Sequence, residues 1–507
     1  MPAILIGLPS LPRSLPRICI ALGLPDAAQL YKTAEREYKD GSAFLEFRLD
    51  YLPDPAQGIE VINKFLRRYG DARILATCRH RANHGYFSGS IDQQIQLLTA
   101  AAEAGAIAVD LEIESAEKAK QAAAALRKRV PLIVSYHNFT NTPALNAVSR
   151  RMLRIPADAY KIIVTARKPS DNLRVIQFAR EGLGSMPLIA FAMSDFGTAT
   201  RILAPSFGCL YTYAAPAEAE STADGQISGS LLHHLYRCEK IKAQTRIFGV
   251  IADPVAHSKS PLIHNRGFQA RRLDAVYLPF RVGAAHLGDW MKLASGLPVH
   301  GFSVTIPHKQ RILRYLDIVE PLAKRIGAVN TVWRKGGKWR GTNTDADGVL
   351  KPLSRHGSPS RFSVLIAGYG GAARAAAIAL ADTGARVTIT GRDLQKATAL
   401  ARVIHAEALP LKNAVGQSFD VLIHATPVGM SPHNNESLFQ DKIPAGIVLD
   451  MVYNPHETEL LKRAKTQGCQ VIYGSEMLLE QAARQFEIWT GETVPLSTMR
   501  AALEQAL

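Results

Sequence analysis

Eight short apolar runs punctuate the first half of the chain at near-regular intervals, at 18–22, 44–48, 74–78, 107–111, 132–136, 160–164, 188–192 and 209–213, with Ala-rich amphipathic stretches between them. No other feature constrains the fold as strongly. A strand that returns to the same sheet in parallel needs a crossover, and a helix is the usual one. Eight such units predict an α/β architecture whose strands close into a (β/α)8 barrel over residues 1–240. In that architecture chemistry sits at the C-terminal ends of the strands. Arg48, Arg79, Glu112 and His137 fall there.

The second half follows another pattern. A helical stretch around 231–243 leads into a strand at 247–251 with no Gly/Ser linker, and residues 246–350 read as a compact α/β unit. A strand at 362–367 then enters Gly368-Tyr369-Gly370-Gly371-Ala372 and an Ala-rich helix, which opens a third unit over 351–475. A glycine turn alone is weak, but a strand before it and a helix after it suit a dinucleotide pyrophosphate. The next strand, 386–390, ends at Gly391-Arg392-Asp393, with Lys396 nearby. An acidic residue at that strand end would favour NAD. Arg392 instead offers a partner for a ribose 2′-phosphate, so NADP(H) is expected. A solvated surface pair is the bland alternative for Arg392 and Lys396. Residues 476–507 form a helical pattern, predicted to return to the 246–350 unit.

Composition excludes several classes. The 507 residues are 47% hydrophobic and 21% charged, as in an ordinary soluble globular protein. No stretch reaches the ~18 apolar residues of a membrane span. Residues 1–16 are apolar and Pro-rich, with Arg13 as their only charge, and read as a short tail rather than a secretory signal or transit peptide. Cys19, Cys78, Cys209, Cys238 and Cys469 are scattered, with no C-x-x-C pair. They predict no disulfide framework and no metal, and point to the cytoplasm. The net charge of +16 suits either nucleic acid or small anionic substrates with a phosphorylated cofactor. Lys and Arg are dispersed, without a basic run or aromatic ladder, so small-molecule partners are expected and neither nucleic acid nor membrane. Oligomeric state is left open, a monomer included.

Lys161 interrupts an otherwise apolar barrel strand, Tyr160-Lys161-Ile162-Ile163-Val164. A lysine there is costly unless paired or neutral, and a neutral amine attacks ketones. A structural ion pair is the competing explanation. His137, in Ser135-Tyr136-His137-Asn138-Phe139, suits acid–base work near neutrality, and Glu112, in Asp110-Leu111-Glu112, is placed to orient it. With these motifs and Glu46-Phe47-Arg48-Leu49-Asp50, the barrel half resembles type I 3-dehydroquinate dehydratase over nearly its whole length. The resemblance implies Lys161 as Schiff-base lysine and His137 as proton shuttle. Glu46, Arg48, Arg79, Arg201, Thr222 and Gln226 would line the substrate site, with Arg201 on the substrate carboxylate. The chain departs from the family at Asp224, where Pro is usual, at Ser194 and Thr200, and in residues 80–89, which lack paired glycines.

In the second half, Ser258-Lys259-Ser260-Pro261 precedes a helix, and alone reads as a helix cap. Ser303-Val304-Thr305-Ile306-Pro307-His308-Lys309, Gly327-Ala328-Val329-Asn330-Thr331 and Asn343-Thr344-Asp345-Ala346-Asp347-Gly348 follow. In this order they resemble shikimate dehydrogenase, from about Ile247 to the end. The resemblance implies a barrel followed by an α/β substrate domain and a Rossmann NADP-binding domain, in the order of plant-type fusions. Lys309 and Asp345 would be the catalytic pair. Ser258 and Ser260 would bind the carboxylate, and Thr305, Asn330, Tyr453 and Gln481 the rest of the substrate. Gly368, Gly370, Gly371, Ala372, Arg392, Lys396, Thr426 and Gly474 would hold NADP(H). Ser303 stands where bacterial relatives usually have Asn and plant-type fusions Ser. The implied activity is conversion of 3-dehydroquinate to shikimate. A quinate dehydrogenase in the C-terminal half is one alternative, disfavoured by the two intact serines. A quinate-responsive regulator is the other, disfavoured by Lys161, His137, Lys309 and Asp345 all being present.

Overall fold

A computed structural model describes residues 10–12, 14–216, 221–223 and 225–507. The chain divides into two compact units, the first running to Thr245 and also taking in Phe280–Val282 and Asp289–Leu297, the second holding the rest from Arg246 on.

The first unit is an eight-stranded parallel barrel. Its strands are β1 (Ile18–Leu22), β2 (Phe44–Arg48), β3 (Arg73–Thr77), β4 (Ala108–Glu112), β5 (Leu132–His137), β6 (Ala159–Thr165), β7 (Leu188–Met193) and β8 (Thr212–Ala214). They follow the order β7-β6-β5-β4-β3-β2-β1-β8, and Leu210 N donates to Leu188 O at 2.9 Å where β8 approaches β7. The strands are almost wholly buried, as expected for parallel strands covered by helices. The helices begin where polar caps allow: Asp26 accepts from Gln29 N at 2.8 Å, and Ser90 and Gln93 form a capping box.

The second unit holds two sheets. One comprises β9 (Arg246–Ala252), β10 (Ala275–Arg281), β11 (Val299–Val304), β12 (Ile318–Val319), β13 (Thr331–Lys335) and β14 (Lys338–Thr342), ordered β10-β9-β11-β13-β14-β12. The other comprises β15 (Ser363–Ala367), β16 (Arg386–Thr390), β17 (Glu407–Leu409), β18 (Phe419–His424), β19 (Ala445–Asp450) and β20 (Gln470–Ile472). It is parallel and ordered β17-β16-β15-β18-β19-β20, the doubly wound order that places a ligand crevice between the ends of β15 and β18. The helix Gly474–Thr490 then leaves this sheet. Its Leu479, Ala482, Phe486 and Trp489 join Phe248, Val250 and Phe268 in the core of the first sheet.

One helical expectation changes. The stretch around 231–243 is only a turn at Leu231–Leu235 and another at Cys238–Lys240, because Arg237 takes a left-handed φ of 52° between them. A non-glycine residue in that conformation ends a helical hydrogen-bond run. The C-terminal pattern is two helices, Gly474–Thr490 and Leu496–Glu504, separated at Gly491, whose φ of 72° makes a left-handed cap.

Candidate active sites

Lys161 lies mid-strand in β6 and is 2% exposed. In register, Glu112 faces Ser135 and Ser135 faces Lys161. Barrel strands tilt, so an in-register partner two strands away sits at a different height. Asp110, two residues back on the same face, therefore reaches the lysine. Lys161 Nζ lies 2.7 Å from Asp110 Oδ2 and 3.7 Å from Glu46 Oε1, and donates to the Tyr213 hydroxyl at 3.1 Å. Ser135 Oγ donates to Asp110 Oδ1 at 2.6 Å, and Thr77 Oγ1 to Glu46 Oε1 at 2.7 Å. Burial pushes the Asp110 carboxyl up, but Lys161, Arg79 and the Ser135 hydrogen bond together hold it below its ordinary value. The lysine is thus held by buried carboxylates rather than by apolar side chains, the pairing a buried ammonium requires.

His137 Nε2 accepts from Arg79 Nη2 at 2.9 Å, and its ring stacks on Phe139 at 5.9 Å. Burial first, then the charges of Arg79, Lys161 and Arg48, push its pKa well below the ordinary value, so the ring is neutral near pH 7. Glu112 is not its orienting partner. Glu112 accepts from His80 N at 2.8 Å and Gln94 Nε2 at 2.7 Å, and so braces the segment that carries Arg79. Burial raises its pKa against the pull of Arg79. The role expected of Glu112 falls to Arg79, because Glu112 stands at the end of β4 and turns toward the chain after β3.

Glu46, Arg48, Arg79, His137, Lys161, Arg201, Thr222 and Gln226 line one cavity. Arg48 makes a two-pronged bridge to Asp50 at 2.9 and 2.8 Å. Arg201 is 1% exposed, and burial pulls its pKa down to about 9. It lies 4.6 Å over the Phe191 ring and donates to Tyr213 O at 3.3 Å. Gln226 Oε1 accepts from Thr222 N at 2.8 Å. Asp224 lies outside the described residues. Asp110, Tyr213 and His84 went unread at the sequence level. The D-x-E spacing put Asp110 on the Glu112 face, but nothing local marked Tyr213 or His84, which both line this cavity.

In the second unit Lys309 Nζ meets Asp345 Oδ2 at 2.5 Å. Asp345 opens the helix Asp345–Ser354, where the positive end of the dipole favours a carboxylate. Asn330 Nδ2 donates to Asp345 Oδ1 at 2.7 Å and to Gln481 Oε1 at 3.2 Å, while Asn330 Oδ1 accepts from Thr344 N at 2.8 Å. Asn330 thereby fixes the aspartate. Ser260 N donates to Ser258 Oγ at 3.3 Å at the start of the helix Ser260–Ala270. Ser303, the departure noted above, accepts from the Tyr277 hydroxyl at 2.6 Å and donates to Gln485 Oε1 at 2.8 Å. Thr305 N donates to Ile251 O at 3.2 Å, which ties the chain ahead of Lys309 to β9. Tyr453 follows β19 and is half-buried.

The dinucleotide features gather at the ends of β15, β16 and β18. Gly368 has φ 130°, and a Cβ there would stand 2.7 Å from Ala425 O, so only glycine fits. A Cβ on Gly370 would meet nothing within 4 Å, which leaves its backbone open to a ligand. Gly371 and Ala372 start the helix Gly371–Thr383, and a Cβ on Gly371 would lie 3.5 Å from Lys309 Cδ. The chain therefore presents helix N–H groups beside Lys309, a fit for a pyrophosphate-bearing cofactor. Arg392 and Lys396 are exposed, and Lys396 lies 3.2 Å from Asp393 and 5.8 Å over the Tyr369 ring. Thr426 Oγ1 meets His424 Nε2 at 2.6 Å, and His424 Nδ1 meets Asp450 Oδ1 at 2.8 Å. This buried chain went unread because Asp450 lies on the next strand. Gly474 packs against Val452 O.

Residues 18–243 match the type I 3-dehydroquinase family, residues 250–332 the shikimate dehydrogenase substrate binding domain, and residues 474–504 the shikimate 5'-dehydrogenase C-terminal domain. The bifunctional 3-dehydroquinate dehydratase/shikimate dehydrogenase of Arabidopsis thaliana, a chloroplastic protein, is 32% identical over 505 residues, covering 94% of this chain and 82% of the relative. The chain belongs to this bifunctional dehydratase/dehydrogenase family. It thus joins a lyase module to an oxidoreductase module. Shikimate dehydrogenase (NADP(+)) of Microcystis aeruginosa is 38% identical over 52% of this chain and 98% of its own. A crystal structure of shikimate dehydrogenase in complex with NADP+ is similar with a TM-score of 0.50 and 37% identity, covering 52% of this chain and 97% of that one. Among the described residues no helix is long and apolar enough to cross a membrane.

Proposed function

We propose that residues 1–240 dehydrate 3-dehydroquinate through an imine on Lys161, and that residues 246–507 reduce the resulting 3-dehydroshikimate to shikimate with NADPH, as a step toward chorismate and the aromatic amino acids. The observation that carries the reading is that each site presents an ammonium braced by a buried aspartate: Lys161 on Asp110 at 2.7 Å and Lys309 on Asp345 at 2.5 Å. In the barrel, Lys161 attacks the C3 ketone. The imine acidifies C2–H, neutral His137 takes that proton, and the C1 hydroxyl leaves as water with a proton from the same ring. Arg201 holds the substrate carboxylate.

In the second unit the boundaries assigned are 246–350 for substrate, 351–475 for cofactor and 476–507 for the returning helices. NADPH, when bound, supplies the hydride. Lys309 gives a proton to the oxygen at C3, Asp345 aims Lys309 and accepts from a ring hydroxyl, and Ser258 and Ser260 take the carboxylate. Arg392 pairs with the 2′-phosphate. The free thiols suit a reducing compartment such as the cytoplasm. Purified protein given 3-dehydroquinate and NADPH should show transient enone absorbance followed by loss of NADPH absorbance. An enone without NADPH loss would reject the second half of the reading, and no enone would reject the first.

A further inference from the structure

We propose that Tyr369 is a specificity-determining residue of the cofactor site, whose phenol donates to the ribose 2′-phosphate of NADP(H). The proposal rests on the reading that Arg392 marks the seat of that phosphate. Tyr369 stands between the first two glycines of the turn that follows β15. Gly368 N donates to Thr390 O at 2.8 Å, which ties this turn to the end of β16. The Tyr369 side chain lies on that side of the turn. A Cβ on Gly391 would stand 2.9 Å from its Cδ1 and Cε1, so the glycine after β16 makes room for the ring. Arg392 is the next residue, and the Lys396 ammonium lies 5.8 Å over the ring. One phenol thus shares the end of β16 with two cations.

A packing role does not account for the hydroxyl. The ring is half-buried against the core that contains Ile366 and Ile389, where Phe would serve equally. The hydroxyl donates to no protein group among the described residues, so its proton is available to a ligand. The groups around it select that ligand. Asp393, the carboxylate of this segment, is taken up: it caps the helix Leu394–Val403 by accepting from Lys396 N at 3.1 Å, and lies 3.2 Å from Lys396 Nζ. A ribose hydroxyl would have to compete for that acceptor, whereas a phosphate accepts from Arg392, Lys396 and Tyr369 at once. Stacking on adenine, the other use of an aromatic here, would have to displace the ammonium from the ring face.

The phenol adds selectivity as well as affinity. Its hydrogen bond to a phosphate oxygen is charge-assisted, and NAD has no phosphate to accept it. With NAD the hydroxyl stays hydrated, so the contribution falls on NADP(H) alone. Lys396 gains from the same ring. Held over its face, the ammonium loses less freedom when phosphate binds.

The test uses Tyr369→Phe in the full chain, which keeps the ring and removes the donor. Calorimetric titration with adenosine 2′,5′-bisphosphate and with 5′-AMP reads the site without turnover. The bisphosphate should bind Tyr369→Phe about tenfold more weakly than it binds the unmutated protein, and 5′-AMP should bind both alike. In steady-state assays kcat/KM should fall by the same factor with NADP, through KM, and stay unchanged with NAD. Unchanged affinity for the bisphosphate overturns the proposal. Equal weakening of both ligands also overturns it and makes the ring an adenine platform. Arg392→Ala tests the reading beneath: undiminished bisphosphate affinity in that variant overturns the assignment of the phosphate to the end of β16. Should Tyr369→Phe fail to fold, Gly391→Ala decides. Its Cβ would press on the ring and turn the hydroxyl away, so the same selective loss is expected, and an unaltered preference for the bisphosphate over 5′-AMP overturns the proposal.

Discussion

In the proposed dehydration His137 can serve as a base only while it is neutral. Burial, and next the charge of Arg79, lowers its pKa well below the usual value. The acid limb of kcat/KM for dehydration should therefore fall below the ordinary imidazole value of about 6.5. Arg79→Gln removes a cation that opposes the imidazolium, so the folded-state pKa rises and the limb moves to higher pH, though burial keeps it depressed. A pH–rate profile of the two proteins checks the sign, and an unmoved limb would detach Arg79 from His137. Lys309 and Asp345 make a similar argument by coupling. Lys309→Ala should lower kcat of shikimate oxidation by at least ~100-fold, since a placed acid contributes about 10²–10⁴. Asp345→Asn should cost both kcat and KM. The double variant should be less than additively impaired, because neither residue works without the other. Multiplicative losses would show two independent groups.

At the level of elements, the β15–turn–helix unit offers the pyrophosphate site and the end of β16 the choice between cofactors. The helix N-terminus serves any dinucleotide, so preference must come from the end of β16. There Asp393 is occupied as a helix cap, accepting from Lys396 N at 3.1 Å, while Arg392 is exposed. Charge-assisted hydrogen bonds from Arg392 to a 2′-phosphate should contribute about 1.5–3 kcal/mol. NADP should be preferred over NAD by at least tenfold in kcat/KM, and Arg392→Ala should erode this through the NADP value alone. Steady-state kinetics with both cofactors measure it. A loss shared equally by NAD would mean that Arg392 supports the fold or the common pyrophosphate site.

At the scale of the whole molecule, the barrel closes its own sheet and the second unit contains two others. Each assigned site draws its residues from one unit only. Lys161→Ala should consequently abolish dehydration while shikimate oxidation keeps its kcat and KM. Lys309→Ala should do the converse. Paired assays of both activities on each variant test this. Loss of both activities with retained secondary structure would show that the two units share a determinant.

Much of this protein was legible in the linear sequence. Eight apolar runs separated by amphipathic stretches allow few solutions but a parallel barrel, and the strand–glycine–helix run at 362–383 specifies a doubly wound sheet. Both are local patterns, in which periodicity shows which face of a strand or helix is buried. Lys161, His137, Lys309 and Asp345 stood out as candidates because their motifs are short and contiguous. The pairings were not. Periodicity says that Asp110 and Glu112 share a face, but the tilt of a closed barrel decides which one stands level with Lys161, and tilt belongs to the whole sheet. Arg79 meets His137 across 58 residues, from the ends of two strands that flank β4, and Tyr213 meets Lys161 across 52, once β8 has come near β7. Sequence alone therefore determined the architecture and marked Lys161 and Lys309 as the candidates for chemistry. Only the tertiary structure decided which carboxylate, guanidinium and phenol each reactive group touches, because those partners are brought together by closure of the sheet and not by spacing along the chain.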